Sequence, residues 1–498
     1  MSRPSAPRTR NSPRWSPTSN CAVSSNSPEP ASMHSTELAF DIVSPVDGRK
    51  LATVPYAGAA ETERALQRAQ AAAPAWRGLA LERRLAALEG FVVAMEARRA
   101  EFAERVLWQI GRPQQFADEL GRVRARWDET RRLAPALLGE VELGPGDGIR
   151  RWLRREPKGV ALGICAWNYP VAMAAEMATT ALAAGNVFVL KHAPQTALIA
   201  DLMADAADAA GLPDGVFQAL HLSHSAVARL LSQRRFHAVQ FIGSERGGRE
   251  VLAAAGAGLV AAGLELGGKD AAYVRADADL DWTAQQLVEG AYSNSGQSCC
   301  SVERIYVERS VYPRFVDAFV DRARGLRLDH PLKSPDLGPV VSAAAAARIR
   351  DEVAAAIAAG ARSAMPGHRA GELAGQGAYL SPDVLLDVDA SMAIAREESF
   401  GPVVALAPVE SDAQALAAIN DSRFGLTASV WTRDLDAAAE LVGAIEAGTV
   451  FVNRCDHADL YLPWGGTKAS GLGRIGGNAT FDEWTECKSV HVRAAGRS

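Results

Sequence analysis

Cysteine is scarce in this chain of 498 residues: there are six, at Cys21, Cys165, Cys299, Cys300, Cys455 and Cys487. Their spacing fits neither the paired pattern of a secreted disulfide framework nor the ligand pattern of a zinc site, so no metal is expected and a reducing cytoplasm is the expected compartment. A basic excess is also lacking. With 53 Lys and Arg against 58 Asp and Glu, and a formal net charge of -5, no stripe of charge tracks a phosphate backbone, and nucleic acid is not an expected partner. Long apolar runs are missing too. The longest, VLAAAGAGLVAAGL at 251–264, is rich in Ala and Gly and falls short of the roughly 18 to 20 residues that cross a bilayer, so no membrane helix is expected.

What is present begins with an unusual first segment. In residues 1–35, Arg3, Arg8, Arg10 and Arg14 lie among Ser and Pro, and the first acidic residue is Glu29. Such a composition cannot bury a core, and a disordered tail is expected, with Met33 as an alternative start. The segment lacks the apolar centre of a secretory signal, and its prolines argue against the amphipathic helix of a transit peptide, although its Arg-rich, acid-poor composition allows one.

At about 150 residues per domain the length implies two or three domains. From 61 to 111, apolar residues recur at helical spacing between charges, which predicts two or three amphipathic helices. Between 159 and 275 short apolar segments (GVALGICAW, VFVLK, GVFQAL, HAVQFIGS) alternate with helical ones, the pattern of a parallel sheet covered on both faces. The alternation resumes after 270 with RIYVE, SVWT and TVFVN, which predicts a second α/β domain. Two polar strand-like segments, 148–157 and 488–494, fit neither core. They are expected to pair as a ribbon, either between subunits or as a surface hairpin.

The chemistry centres on SNSGQSCCSVER at 293–304, where Cys299 and Cys300 sit side by side between a helical segment and a strand. A thiol reacts as thiolate and is favoured where backbone donors stabilise the anion, as such a loop supplies, but the pair alone does not say which thiol reacts. In GVALGICAWNYP at 159–170, Asn168 follows a strand, and its amide suits a developing oxyanion. In LELGGKD at 264–270 a lone carboxylate, Glu265, stands beside two glycines that let backbone approach a ligand. FIGSERGG at 241–248 reads as strand, glycine turn and helix start, so the Gly243 and Ser244 amides are placed to meet a pyrophosphate, although the G-x-G-x-x-G fingerprint is absent.

These segments, with VFVLKHAPQT, REESFGPVV and LPWGGTKASGLGR, stand in an order and spacing that resembles the NAD(P)-dependent aldehyde dehydrogenase superfamily over about residues 37–495. The resemblance implies that Cys299, two residues after Gln297, is the nucleophile and Cys300 its neighbour. It also implies that Glu265 is the general base and Asn168 the oxyanion donor, and that Trp167, Lys191, Gly243, Ser244, Glu398 and Phe400 bind NAD or NADP. Gly296 and Arg304 match positions that shape the loop. The implied fold is aldehyde dehydrogenase-like, an α/β chain of two parallel-sheet domains plus a small β ribbon for oligomerisation. Residues 36–147 with 158–268 form the dinucleotide-binding domain, 269–458 the catalytic domain, and 148–157 with 480–498 the ribbon of a homodimer or homotetramer. The expected reaction oxidises a small aldehyde to its acid through a thiohemiacetal and a thioester on Cys299.

The sequence departs from the family at several points. Ala166 replaces the Pro of the P-W-N pattern, and Trp464 replaces the Phe before the paired glycines, which reshapes a pocket wall. In KHAP, Pro194 stands where many NAD-preferring members carry a carboxylate for the adenosine ribose, so weak discrimination between NAD and NADP is expected. Glu176, eight residues after Asn168, shares its helix face and either favours cationic amino-aldehydes or is an ordinary paired glutamate. Three rival functions are a CoA-acylating relative, which has no need of Glu265 as base, a cysteine hydrolase, which wants a histidine base where the motifs hold only His192, and a non-catalytic protein of the same fold, which has no need of Cys299, Glu265 or Asn168.

Overall fold

The computed structural model describes residues 38–144 and 148–493; the expected tail 1–35, Cys21 and residues 494–498 of the ribbon lie outside the described residues. The segment Val160–Cys165 shows how this sequence builds its first sheet. It is a nearly continuous run of small and branched apolar residues, and every one is buried. That is what a central strand covered on both faces requires, and each Val, Leu or Ile so buried contributes about 1.5–3 kcal/mol. Gly163 is needed inside it, because a Cβ there would stand 2.2 Å from the Phe188 ring of the neighbouring strand.

Among the described residues this sheet has six strands, in the order Gly471–Leu472, Ala261–Glu265, Ala238–Ile242, Val160–Cys165, Val187–His192, Phe217–Ala219. All run parallel except Gly471–Leu472, which returns from late in the chain to pair antiparallel with Ala261–Glu265. The helices Pro170–Ala183, Ala197–Ala209, His224–Ser232 and Glu245–Ala257 fill the connections, where helical periodicity predicts them. Chain order reverses direction beside Val160–Cys165, so a crevice opens beyond the carboxyl ends of that strand and Ala238–Ile242.

A second sheet of seven strands runs in the order Arg362–Ser363, Asp383–Leu386, Val403–Val409, Val302–Glu308, Asp270–Val274, Thr427–Trp431, Thr449–Val452. It is parallel except for Arg362–Ser363. One face packs against Leu280–Tyr292 and Tyr312–Arg324 through Leu287, Phe315 and Phe319, and the other holds Tyr273, Ala428 and Val430. The strand Asp270–Val274 begins five residues beyond Glu265, so one short loop links the two sheets.

The two polar segments pair with each other. Ile149–Pro157 and Thr485–Arg493 run antiparallel from Thr485 opposite Pro157 to Arg493 opposite Ile149, and Val141–Glu142 adds a third strand. No helix among the described residues is long and apolar enough to cross a membrane.

Candidate active site

Asn168 is placed by the residues that end one strand and start the next helix. Pro170 opens the helix Pro170–Ala183 at a position where its missing N–H costs nothing. The next two amides, of Val171 and Ala172, donate to Glu119 Oε2 at 3.0 and 2.7 Å, so a carboxylate caps the positive end of the helix. Glu119 also forms a buried ion pair with Arg112 at 2.6 Å. Arg112 in turn donates to the Asn168 carbonyl and, at 3.1 Å, to Asn294 Oδ1.

The cysteine loop takes an uncommon conformation. Asn294, Ser295 and Gly296 have φ of 52°, 58° and 71°, three left-handed residues in succession. A Cβ on Gly296 would meet the Gly401 carbonyl at 2.2 Å, so glycine is required there. For the two non-glycine residues the backbone costs on the order of 1–3 kcal/mol each, and surrounding bonds hold it. Gln297 Nε2 donates to the Asn294 carbonyl at 3.1 Å, Gln297 Oε1 accepts from the Val341 amide at 2.7 Å, and Ser295 Oγ donates to the Gly338 carbonyl at 2.9 Å. Asn168 Nδ2 donates to the Gln297 carbonyl at 3.3 Å, which brings the asparagine to the loop that carries the thiols.

The thiols differ. Cys299 is partly exposed and Cys300 is buried. Cys300 Sγ donates to Asp456 Oδ1 at 3.0 Å, and its pKa is raised by the neighbouring Cys299 thiol, by burial and by the Asp456 charge.

Glu265 ends its strand, with its carbonyl accepting from the Gly243 amide at 3.0 Å. Its carboxylate is buried, and neither oxygen has a hydrogen-bond partner among the described residues. Burial first, then Cys299, push its pKa well above the carboxylate range, while Arg474 acts the other way.

Asn168, Glu265, Cys299, Trp167, Gly243, Ser244, Glu398 and Phe400 line one cleft of about 1460 Å³. Ser244 caps the helix Glu245–Ala257, accepting from the Gly247 amide at 3.3 Å. The Trp167 and Phe400 rings meet edge to face with centroids 5.4 Å apart. Glu398 Oε1 accepts from the Gly268 amide at 3.0 Å, and lost hydration, then the nearby Glu303, push its pKa up to about 8. Lys191 is not part of the cleft lining. It is buried at the end of Val187–His192, where burial lowers its pKa to about 8, and no hydrogen bond or ion pair engages its ammonium among the described residues. His192 is buried and bonded to the Pro170 carbonyl at 2.9 Å, and burial lowers its pKa to about 4, so it stays neutral.

Gly296 and Arg304 serve the scaffold, Arg304 donating to the Lys269 carbonyl at 2.7 and 3.0 Å. Trp464 lines the cleft. Glu176 does too, but it is paired with Arg126 at 3.7 Å. Sequence reading missed the supports. Arg112 and Glu119 hold Asn168, and a buried pair of Lys269 with Glu303 holds the loop of Glu398 and Phe400. Glu303 accepts there from the Ser399 and Phe400 amides at 2.9 and 3.0 Å. Lys269 and Glu303 stand inside quoted motifs, but no spacing rule joins them. No group of three or more His, Cys, Asp or Glu is arranged to hold a metal among the described residues.

A parallel sheet that opens on a cleft where its strand order reverses is the mark of dinucleotide-binding proteins, and here the partly exposed Cys299 thiol and the unpartnered Glu265 carboxylate share the cleft. The chain belongs to the aldehyde dehydrogenase family, whose model matches residues 32–490. It is 34% identical over 434 residues to a succinate semialdehyde dehydrogenase of Escherichia coli whose name specifies NAD(P)+, covering 87% of this chain and 93% of the relative. To a betaine aldehyde dehydrogenase of Brucella melitensis it is 37% identical over 355 residues, covering 71% of this chain and 72% of the relative. A solved NAD-dependent aldehyde dehydrogenase from Sinorhizobium meliloti superposes with a TM-score of 0.88 at 32% identity, covering 92% of each chain. The chain is therefore an oxidoreductase of aldehydes that uses NAD or NADP.

Proposed function

We propose that the chain oxidises a small aldehyde to the carboxylic acid with Cys299 as nucleophile, Asn168 as oxyanion donor and Glu265 as general base. The observation that carries this reading is the Glu265 carboxylate, buried without a partner in the cleft that also presents the partly exposed Cys299. Such a group is poised to take a proton from water, and a CoA-acylating or non-catalytic protein has no use for it.

Cys299 Sγ adds as thiolate to the carbonyl carbon, and the new oxyanion accepts from the Asn168 amide and the Cys299 backbone N–H. The long bond from Asn168 Nδ2 to the Gln297 carbonyl is easily exchanged for that role. Bound NAD or NADP supplies the acceptor for the hydride that leaves the substrate carbon. Residues on the cleft fit it. Gly243 and Ser244 present a helix N-terminus to the pyrophosphate, Glu398 suits the nicotinamide ribose, and Trp167 and Phe400 flank it. The unpartnered ammonium of Lys191 suits the adenosine end. Cys299 then carries a thioester; Glu265 deprotonates the water that attacks it, and the acid leaves as the thiol is restored.

The six-stranded sheet, with residues 36–147 and 158–268, is proposed as the dinucleotide-binding domain and the seven-stranded sheet, 269–458, as the catalytic domain. The three-stranded ribbon exposes Val141 and Val492 and is proposed as the contact of a homodimer or homotetramer. A cytoplasmic site is supported by the five described cysteines, all free.

The test is an assay of purified protein with aldehydes, NAD and NADP, with and without CoA. Free acid as product in both cases, and comparable rates with the two cofactors, support the reading. Acyl-CoA formed only with CoA, or no reduction of either cofactor, overturns it. By name the two relatives act on an aldehyde with a carboxylate tail and on one with a quaternary ammonium, so family likeness does not choose the substrate.

A further inference from the structure

The cleft that presents Cys299 also carries guanidinium groups that form no ion pair among the described residues. Arg122 and Arg454 both line the cleft and are exposed, and no carboxylate is paired with either among the described residues. The nearby carboxylates are engaged elsewhere. Glu176 is paired with Arg126 at 3.7 Å, their side chains only 16% and 10% exposed, so the group that sequence reading offers to a cationic aldehyde already has its cation. Asp456 accepts from Ser298 at 2.8 Å and from Cys300 at 3.0 Å; burial raises its pKa, against which those two bonds and then the Arg122 charge act, and it forms no ion pair with Arg122. Glu289 remains as an exposed acid on the same lining.

Arg122 is also held in place. Its guanidinium lies 5.2 Å from the centroid of the Tyr169 ring, while Arg112 lies 4.6 Å from the same ring. A ring fixes a guanidinium without cancelling its charge. Arginine charges act on a common imidazole: burial first, then Arg454, and more weakly Arg122 and Arg126, lower the His457 pKa, with Asp459 opposing. His457 and Arg126 line the cleft as well, and Arg126 donates to the Ala458 carbonyl at 3.3 Å, which ties the loop of Arg454 and His457 to the helix of Arg122.

We propose that Arg122 and Arg454 receive an anionic group at the far end of the aldehyde, so that the substrate class is an aldehyde with a carboxylate tail. A planar carboxylate meets a guanidinium fork through two parallel N–H···O bonds, a geometry that neither a neutral alkyl tail nor an ammonium satisfies. The proposal rests on the reading of Cys299 as nucleophile, since it places the reacting carbonyl at that thiol and the tail at the arginines. A phosphate tail shares the chemistry.

The experiment measures kcat/KM with saturating cofactor for 4-oxobutanoate and 5-oxopentanoate against butanal, pentanal, betaine aldehyde and glyceraldehyde 3-phosphate. The expected result is at least about a tenfold advantage of a carboxylate aldehyde over its neutral counterpart of equal length, carried by KM. Arg122→Gln and Arg454→Gln should each shrink that ratio by about tenfold, with Arg122→Lys intermediate. A wild-type enzyme that prefers butanal or betaine aldehyde overturns the proposal, as does a ratio that neither variant changes. A preference for the phosphorylated aldehyde retains the anion site and overturns the carboxylate assignment. If no aldehyde is oxidised, it is the catalytic reading that fails.

Discussion

The Cys300 thiol donates to Asp456 Oδ1 across 3.0 Å, and Ser298 donates to the same oxygen at 2.8 Å, so one of two adjacent thiols is buried and engaged with a carboxylate while Cys299 is partly exposed. A thiol beside a carboxylate is hard to ionise. Cys300→Ala should therefore keep activity within a few-fold, whereas Cys299→Ala should lose it by at least about a thousandfold. Steady-state NAD(P)H formation, checked against unchanged thermal unfolding, separates the two.

Glu265 works only when deprotonated, and burial with Cys299 nearby raises its pKa. Raising the pH through that elevated value should thus speed thioester hydrolysis. Glu265→Gln should remove this rising limb, slow turnover by about 10² to 10⁴, and leave a burst of one NAD(P)H per active site in stopped-flow traces. Loss of the burst together with turnover would assign Glu265 to an earlier step.

The strands and the helices between them could be read from the sequence because each follows from local pattern, apolar runs for buried strands and helical spacing between them. Asn168, Glu265, Gly243 and Ser244 stand at a turn or glycine near a strand end, whereas Trp167, Glu398, Phe400 and the choice of Cys299 over Cys300 came from the family resemblance alone. What supports these residues could not be read. Arg112 reaches the Asn168 carbonyl across 56 positions of chain and Asn294 across 182, and Lys269 meets Glu303 across 34. Such pairs form only when segments distant in the chain are brought side by side, as Asp270–Val274 is beside Val302–Glu308. The short strand Gly471–Leu472 escaped for the same reason, since two residues give no period. For Glu176 the sequence left a cleft role and an ordinary paired glutamate both open; it lines the cleft and is paired, and its Arg126 partner, distant in the chain, could not be read from the sequence.

The Lys269–Glu303 pair is buried, and Glu303 also fixes the amides of Ser399 and Phe400, the latter with a φ of 50°. Removing one partner leaves a buried charge. Lys269→Met should cost about 3–5 kcal/mol of stability and raise the KM for NAD(P), as measured by urea denaturation and steady-state kinetics.

Glu398, pushed from its ordinary 4.5 up to about 8, keeps a proton in the folded state that the unfolded chain has released between those values. Its stabilising contribution is complete below about 4.5 and is lost as the pH rises to about 8. Glu398→Gln mimics the protonated form, so its melting temperature should gain on that of the parent as the pH is raised from 5 to 8. Parallel curves for the two proteins would contradict the assignment.

The thioester on Cys299 is the step on which the whole reading turns. Glu265→Gln protein, mixed with aldehyde and NAD(P) and quenched within the burst, should carry one acyl group, and fragmentation of the peptide holding both cysteines should place it on Cys299. An acyl group on Cys300, or full turnover with no covalent acyl group at any time, would contradict it.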